Sequence, residues 1–187
     1  SRHAKLNPTT DELKEMWGDG YGNRMDRFLA GIAYLDGKTP SLIMCRGYYT
    51  RTFLTAWKFA NGKLTKQWAF DSDDPAHPEN KPYRGQGNHN LTIADVDGDG
   101  KDEIVYGAMC IDDNGKGLYS TGLGHGDAQH VTDLDPSRPG VEVFGIQERF
   151  DDAGSHMFDA RTGEVLWKKA SVKAGADGEG PGRGLAL

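Results

Sequence analysis

Short runs in which apolar and polar residues alternate fill most of the chain, and this pattern predicts β-strands rather than helices. The first four runs are Phe28 to Tyr34, Ser41 to Cys45, Thr52 to Phe59 and Leu64 to Phe70. Asn61-Gly62 separates the last two, and this dipeptide is the strongest short-range signal for a hairpin turn. The four runs therefore predict one antiparallel four-stranded sheet.

The same succession of runs occurs twice more along the chain. Asp95-Val96-Asp97 and Asp133-Leu134-Asp135 stand at equivalent places in these later units, and Tyr34-Leu35-Asp36 occupies that place in the first. Four strands in each unit of about 40–50 residues are the period of β-propeller blades. The predicted fold class is all-β, and the predicted architecture is a partial β-propeller.

The predicted boundaries follow from this repeat. Residues 1–23 form a lead-in with a short helix or a loop, and the blade repeats cover about residues 24–70, 88–121 and 126–169. Residues 180–187 are similar to the first strand of a further blade. Three blades and a fragment are fewer than the four to eight that close a ring. We therefore expect the rest of the propeller, or another chain, to complete the open edge.

Composition and charge narrow the classes of partner. The 26 glycines lie mainly between the apolar runs, as tight turns between short strands require. A formal net charge of −6 disfavours binding to the phosphate backbone of nucleic acids. No apolar run approaches the length of a membrane span. Neither nucleic acid nor a membrane is expected as a partner.

The segment between the first two strands of the second unit has the spacing of a calcium-binding loop. Calcium takes oxygen ligands from alternate positions of such a loop, and a glycine, here Gly100, allows the sharp turn. Tyr106 stands where an EF-hand has its bidentate glutamate, so the loop is not an EF-hand. The alternative is a solvated acidic turn whose Asp and Gly residues serve turn geometry. The predicted ligands are Asp95, Asp97, Asp99, the carbonyl of Lys101, and Glu103.

Two further acidic turns are reduced versions of this loop. In the third unit Asp133, Asp135 and Glu142 keep acidic side chains, whereas Ser137 replaces the third aspartate. A bound calcium ion and an ion-free turn are equally compatible with that spacing. In the first unit only Asp36 is left, so no ion is expected there.

Histidine and aspartate residues cluster just before the first strand of two successive units. His89 in the second unit corresponds to Asp127 in the third, and His125 and His130 flank Asp127. Loops from adjacent blades converge near a propeller axis, so His89, His125 and Asp127 predict a second metal or substrate site. The alternative is that these side chains satisfy backbone groups at the strand entries.

A run of basic and aromatic residues, preceded by Arg24 and Arg27, suits an anionic sugar. Guanidinium groups bind carboxylates through paired hydrogen bonds, and aromatic faces stack on sugar rings. The alternative is a solvated or ion-paired sheet surface. The run contains Arg46, Tyr48, Tyr49 and Arg51.

Four segments carry a pattern that is specific when taken together. They are GNRMDRFLAG (Gly22 to Gly31), MCRGYYTRT (Met44 to Thr52), GNHNLTIADVDGDGKDEIVYGAM (Gly87 to Met109) and GLGHGDAQHVTDLDP (Gly122 to Pro136). The chain thereby resembles the bacterial rhamnogalacturonan lyases of polysaccharide lyase family 11. The resemblance implies an eight-bladed β-propeller with many calcium ions, of which this chain is an internal fragment. It also implies a secreted or periplasmic enzyme that cleaves the backbone of pectin, an anionic polysaccharide, by β-elimination.

The resemblance implies roles for individual residues but does not place the catalytic base. β-Elimination beside a uronate needs a neutralised carboxylate, a base for the C5 proton and an acid for the leaving oxygen. On chemistry alone, the candidates for the base are His130, Lys81, Tyr83 and Arg84. Arg183 joins the four residues of the basic and aromatic run as a candidate for substrate binding. The implied calcium ligands are Asp95, Asp97, Asp99, Lys101, Glu103, His89, His125, Asp127, Asp133, Asp135 and Glu142.

The alternative function is a non-catalytic, calcium-stabilised propeller that binds glycans or proteins. Acidic loops of this kind also occur in adhesion propellers. The arginines and histidines above the axis favour the lyase, because a purely structural repeat does not require them.

Overall fold

A computed structural model describes residues 8–25, 27–149, 151–171 and 184 of the chain. Within this part the helical segments are α1 (Thr10–Trp17), α2 (Gly22–Met25) and a 3₁₀ helix (Pro78–Tyr83). Helix α1 begins at a capping box, in which Glu12 N donates to Thr9 Oγ1 and Thr9 N donates to the Glu12 carboxylate. Of the two alternatives that the sequence left open here, a short helix or a loop, the structure has a helix over Thr10–Trp17. None of the helices described is both long and apolar enough to cross a bilayer.

Three separate four-stranded antiparallel sheets make up the rest of the described chain, each with its strands in sequence order. This confirms the all-β prediction and the three groups of strands. The first sheet contains β1 (Phe28–Ala33), β2 (Ser41–Arg46), β3 (Phe53–Ala60) and β4 (Lys63–Asp71). The second contains β5 (Thr92–Ala94), β6 (Glu103–Val105), β7 (Met109–Ile111) and β8 (Gly117–Ser120). The third contains β9 (Gly126–Thr132), β10 (Glu142–Gln147), β11 (Ser155–Asp159) and β12 (Val165–Lys169).

The sequence pattern did not reveal β7 as a separate strand. The apolar run from Ile104 to Ala108 predicts one continuous strand, but β6 ends at Val105 and β7 begins at Met109. Gly107 lies between them with a φ of +73°, a left-handed conformation that reverses the chain. A continuous apolar run hid this turn because residues on both sides of it are buried.

The second sheet is covered on both faces, which places it at the centre of the described structure. On one face Ile104 and Ile111 pack with Ile43 and Leu54 of the first sheet. On the other, Val105 packs in a cluster with residues of the third sheet such as Val143 and Phe158. The site described below lies beside these packed sheets, at the entries to β5 and β9.

The first sheet exposes an apolar face. Phe28, Ile32 and Met44 are 57%, 55% and 40% exposed. Strand register places them on one side, because Phe28 and Ile32 alternate along β1 and Met44 pairs with Ala30 between them. The opposite side of this sheet carries Ile43 and Leu54, which face the second sheet.

His156 on β11 gives the described core a predictable dependence on pH. Its ring is 1% exposed and stacks 5.6 Å from the ring of Phe158, and burial lowers the pKa of the imidazole to about 4. Because this pKa is below the ordinary value of 6.5, the stability that His156 contributes is present above pH 6.5 and lost as the pH falls towards 4.

We expect His156→Phe to remove that dependence. The difference in unfolding free energy between wild type and variant should change by about 3 kcal/mol between pH 7 and pH 4. Denaturant unfolding at a series of pH values measures it. His125 is present in both proteins, so its titration cancels, and parallel stability curves would contradict the assignment to His156.

Candidate metal and substrate site

The entries to β5 and β9 lie side by side and bring the predicted histidine cluster together. Asn88 and Gly126 form a parallel bridge, and His89 N donates a hydrogen bond of 3.3 Å to the Gly126 carbonyl. This places His89 Nε2 3.5 Å from Asp127 Oδ1. The ligand atoms of His89, His125 and Asp127 all lie within 4.8 Å of one another. Backbone pairing thus places side chains from two sheets at one point.

His125 is held as a neutral imidazole with one nitrogen available. It is 6% exposed, and its Nδ1 lies 2.7 Å from the Gly87 carbonyl, which can only accept, so Nδ1 carries the proton. Burial lowers the pKa of His125 to about 4. Its Nε2 is buried and has no hydrogen-bond partner among the described residues. A buried lone pair that faces Asp and His side chains fits a metal ligand.

Aromatic rings and a further carboxylate support His125. The rings of Tyr48 and Tyr49 lie 4.7 Å and 4.0 Å from the imidazole, measured between centroids. Tyr49 Oη donates to both carboxylate oxygens of Glu148, each at 2.7 Å. Burial, and then the negative charge of Glu148, raise the pKa of Asp127. Sequence reasoning did not identify Glu148, because it follows β10 with no motif around it.

The arginines beside this cluster are Arg24 and Arg27. The Arg24 guanidinium lies 4.3 Å from the Tyr49 ring centroid, within cation–π distance, and it also pairs with Asp19 at 3.4 Å. Arg27 Nη1 lies 3.4 Å from His89 Nε2, and no described carboxylate lies within ion-pair distance of Arg27. Arg27 therefore presents a guanidinium group to the cluster with no ion-pair partner among the described residues.

The basic and aromatic run itself has largely structural contacts. Arg46 donates from Nε to the Met25 carbonyl and stacks over Trp17 at 4.5 Å. Arg51 forms an ion pair with Asp71 and donates to the Met16 carbonyl. These contacts attach α1 to the first sheet. Substrate binding by Arg46 and Arg51 stays a prediction, whereas Tyr48 and Tyr49 do adjoin the cluster.

A cavity of about 550 Å³ opens beside the cluster. Its lining includes Arg27, His89, Asp127 and His130. His130 Nε2 donates to the Gly184 carbonyl at 2.8 Å. His130 is thus a base candidate that lies in the cavity.

The three other base candidates lie on the 3₁₀ helix or just after it, and none is among the residues that line this cavity. Lys81 and Arg84 form ion pairs with Asp73. Tyr83 is buried against Phe70. Arg183 lies outside the described residues.

The predicted calcium loop forms as a tight turn with two groups of close acids. The carboxylates of Asp95, Asp97 and Asp99 make one group, and Asp97, Glu103 and Asp112 make the other, each with ligand atoms within 4.8 Å of one another. The loop is also braced internally, since Gly98 N and Gly100 N donate to the Asp95 carboxylate at 2.7 and 2.9 Å. The Lys101 ammonium pairs with Asp99 and Asp113, at 2.8 and 3.3 Å.

Glu103 gives the loop a buried carboxylate that fits a cation. The side chain is fully buried, and its Oε2 accepts a hydrogen bond of 2.8 Å from Val96 N. Oε1 has no partner within the described part of the chain. Burial, together with the nearby charges of Asp97 and Asp95, raises the pKa of Glu103 to about 7. A bound cation would offset the free-energy cost of burying the charged Glu103 carboxylate by pairing with Oε1.

The third acidic turn repeats part of this arrangement. Glu142 is fully buried, its Oε2 accepts from Leu134 N and Asp135 N at 3.0 Å, and its Oε1 is also without a described partner. Asp133, Asp135 and Glu142 do not form a group of mutually close ligand atoms among the described residues. Calcium binding by this turn stays a prediction.

The fold and the site agree with the family that the sequence motifs indicate. Residues 4–187 match the model of "Rhamnogalacturonan lyase family 11, C-terminal domain". The chain belongs to this family of polysaccharide lyases.

Two proteins of Bacillus subtilis (strain 168) are similar to the chain over 184 residues, 98% of its length. The rhamnogalacturonan exolyase YesX is 64% identical and the rhamnogalacturonan endolyase YesW is 60% identical. The crystal structure of exotype YesX has a TM-score of 0.82 at 57% identity, over 97% of this chain and 29% of that one. The Bacillus licheniformis rhamnogalacturonan lyase PL11 has a TM-score of 0.78 at 56% identity, over 90% of this chain and 28% of that one. The chain spans 28% of the length of YesX and of YesW.

Proposed function

We propose that this chain forms part of a lyase that cleaves the rhamnogalacturonan backbone of pectin by calcium-assisted β-elimination. The observation that carries the proposal is the cluster of His89, His125 and Asp127 beside an arginine-lined cavity, in a chain whose relatives are named rhamnogalacturonan lyases. The buried Nε2 of His125 has no hydrogen-bond partner among the described residues, and a ligand or substrate at this site would account for it.

A calcium ion fits the cluster if oxygen atoms supplement the imidazoles. Asp127 supplies a carboxylate at the cluster, and Glu148 lies close enough to affect the Asp127 charge. Calcium prefers six to eight oxygen ligands, so the uronate carboxylate of the substrate would supply further oxygens to the ion. When bound, the ion would supply positive charge that neutralises that carboxylate and makes the adjacent C5 proton more acidic.

The chain's own residues contribute orientation and a candidate proton acceptor. Arg27 presents a guanidinium group to the cavity and can bind the uronate carboxylate through two hydrogen bonds. The Tyr49 hydroxyl fixes the Glu148 carboxylate, and the Gly87 carbonyl fixes the tautomer of His125. His130 is the base candidate that shares the cavity with these groups.

The direct test is to incubate the complete protein that contains this chain with rhamnogalacturonan and calcium, and to follow the ultraviolet absorbance of unsaturated uronate products. A steady rise, abolished by a chelator, is the expected result. Polysaccharide binding in the absence of unsaturated products would favour the alternative of a non-catalytic glycan-binding protein. Hydrolysis to saturated ends would contradict β-elimination.

Replacement of Arg27 should lower kcat/KM for rhamnogalacturonan more than replacement of Arg46. Arg27→Ala is expected to lower kcat/KM for rhamnogalacturonan by about 10- to 100-fold, because a charged hydrogen-bonding partner of the carboxylate is lost. Arg27→Lys should recover only part of this, since a point charge lacks the paired geometry. Steady-state kinetics on both variants measure the effect, and an Arg27→Ala enzyme with wild-type kcat/KM would exclude this role.

We further propose that the three sheets are blades of a β-propeller and that the acidic loop of the second binds a structural calcium ion. The exposed apolar face of the first sheet supports this, because its opposite face already packs on the next sheet. Another sheet of the same kind would cover Phe28, Ile32 and Met44 in the same way.

A protein that acts on pectin, a polymer outside the cell, would be secreted or periplasmic.

A further inference from the structure

Strand pairing shows which residues in the first sheet stand at the same positions as the acidic loop of the second sheet. Ala94 pairs with Glu103 where Ala33 pairs with Ser41, so Ser41 stands at the place of Glu103. Across the next strand, Ser41 pairs with Lys58. In the second sheet the pairing of Ile104 with Ile111 puts Asp112 opposite Glu103 in the same way. Lys58 therefore stands at the place of Asp112.

The third member of the acid group has its counterpart in the first sheet as well. Asp97 comes three residues after Ala94, and Asp36 comes three residues after Ala33. The acid group Asp97–Glu103–Asp112 thus corresponds, place by place, to Asp36–Ser41–Lys58. Three carboxylates are replaced by one carboxylate, one hydroxyl and one ammonium group.

Each of these groups in the first sheet has a polar partner within the described chain. Lys58 Nζ lies 3.5 Å from Asp36 Oδ2. Ser41 is 2% exposed, and its Oγ accepts a hydrogen bond of 2.7 Å from Gln67 Nε2. In contrast to Glu103, neither Ser41 nor Asp36 has a buried oxygen without a partner.

We propose that Lys58 takes the place of the metal ion in the first sheet, so that the identity of two strand positions decides which sheet depends on calcium. This inference rests on the proposed calcium at Asp97, Glu103 and Asp112. Three carboxylates within 4.8 Å repel one another and need an external cation. Asp36 and Lys58 together carry no net charge, so the first turn closes without one.

The third sheet has an acid at the equivalent strand position, as the second sheet does, and a side-chain cation beside it, as the first sheet does. Glu142 pairs with Asp159, so Asp159 is the counterpart of Asp112 and Lys58. The Arg138 guanidinium lies 3.8 Å from Asp159 Oδ2, and Thr162 N donates to Oδ1 at 2.9 Å. In this sheet too, a side-chain cation lies next to the acid at the equivalent strand position.

The test exchanges the two strand positions between the sheets in the purified protein. Glu103→Ser combined with Asp112→Lys should lower the calcium content by one ion per chain, measured by atomic emission after dialysis against dilute calcium. The reverse exchange, Ser41→Glu with Lys58→Asp, should raise it by one ion. An unchanged calcium content in a folded Glu103→Ser/Asp112→Lys protein would overturn the inference.

Lys58→Gln keeps the inference testable if either double variant does not fold. This substitution changes a partly exposed side chain and is expected to leave the calcium content unchanged. Loss of one ion per chain on this substitution would show that calcium binds beside Lys58 and would contradict the replacement. Lyase activity measured on the same samples separates this inference from the proposed function. A Glu103→Ser/Asp112→Lys protein that keeps its full calcium content and its activity would refute only this inference. A wild-type protein that holds its calcium but forms no unsaturated product would refute only the proposed lyase function.

Discussion

Replacing His125 by phenylalanine is expected to lower the rate of rhamnogalacturonan cleavage by at least about 100-fold. Loss of groups that merely orient a metal ligand typically costs 10- to 100-fold, and His125 is proposed as a ligand itself. Phenylalanine keeps the ring that packs against Tyr48 and Tyr49, but it removes the free Nε2. The variant should therefore fold like wild type but bind calcium less tightly. Initial rates of unsaturated product formation, with calcium varied, measure the loss.

The matched control is His77→Gln. His77 is an exposed histidine that pairs with Glu79 at 2.9 Å, and it does not line the cavity beside His89. Its replacement should leave the rate within about twofold of wild type. A His125→Phe enzyme with the wild-type rate and the wild-type calcium dependence would show that the histidine cluster is not the catalytic metal site.

Removal of calcium is expected to lower the Tm of the protein by about 5–10 °C. An ion at 100 times its Kd stabilises the folded state by about 2.7 kcal/mol. In a domain of about 150–250 residues, each kcal/mol shifts the Tm by about 2–4 °C. The physical reason is the group of Asp97, Glu103 and Asp112, whose mutual repulsion is uncompensated without the ion. Thermal unfolding with calcium and with excess chelator, both at pH 8, measures the shift.

Glu103→Gln should reduce this calcium response. The amide has the shape of the carboxylate but no charge, so it binds the ion less tightly and also avoids the cost of a buried anion. In chelator the variant should be at least as stable as wild type. Glu79→Gln, which changes an exposed glutamate, is the control that should keep the full response. Equal midpoints of wild type with and without chelator would argue against an occupied structural site.

Most strands were predictable because apolar and polar residues alternate along them and their turns contain distinctive residues. Asn61 and Gly62 both have positive φ in the β3–β4 turn, as the dipeptide predicts. The break at Gly107 was not predictable, because apolar residues continue through the turn. The pattern of alternation is informative only where one face of a strand meets solvent, and the second sheet is buried on both faces.

The proximity of His89, His125 and Asp127 was predictable from the sequence, but the neighbouring carboxylate of Glu148 was not. His89 and Asp127 stand at equivalent strand entries of successive units and His125 lies two residues before Asp127, so the repeat brings the three side chains together. Glu148 and Asp112 reach their groups through the turn after β10 and through cross-strand pairing, and no local motif marks either residue. The contacts of the arginines near the site were not predictable for a similar reason. The helices α1 and α2 lie outside the repeat, so the repeat does not predict their contacts. Arg46 and Arg51 donate hydrogen bonds to carbonyl groups of these helices, whereas Arg27 lines the cavity.

The most direct test of the account is a calcium titration of the metal-free protein, with rhamnogalacturonan present and the absorbance of unsaturated uronate recorded at each step. We predict no product without calcium and a saturating rise as calcium is added. In His125→Phe the rise should be lost or shifted to much higher calcium concentration. Full activity in the metal-free protein, with unsaturated products and no response to calcium, would contradict the central claim that the histidine cluster is a calcium-dependent lyase site.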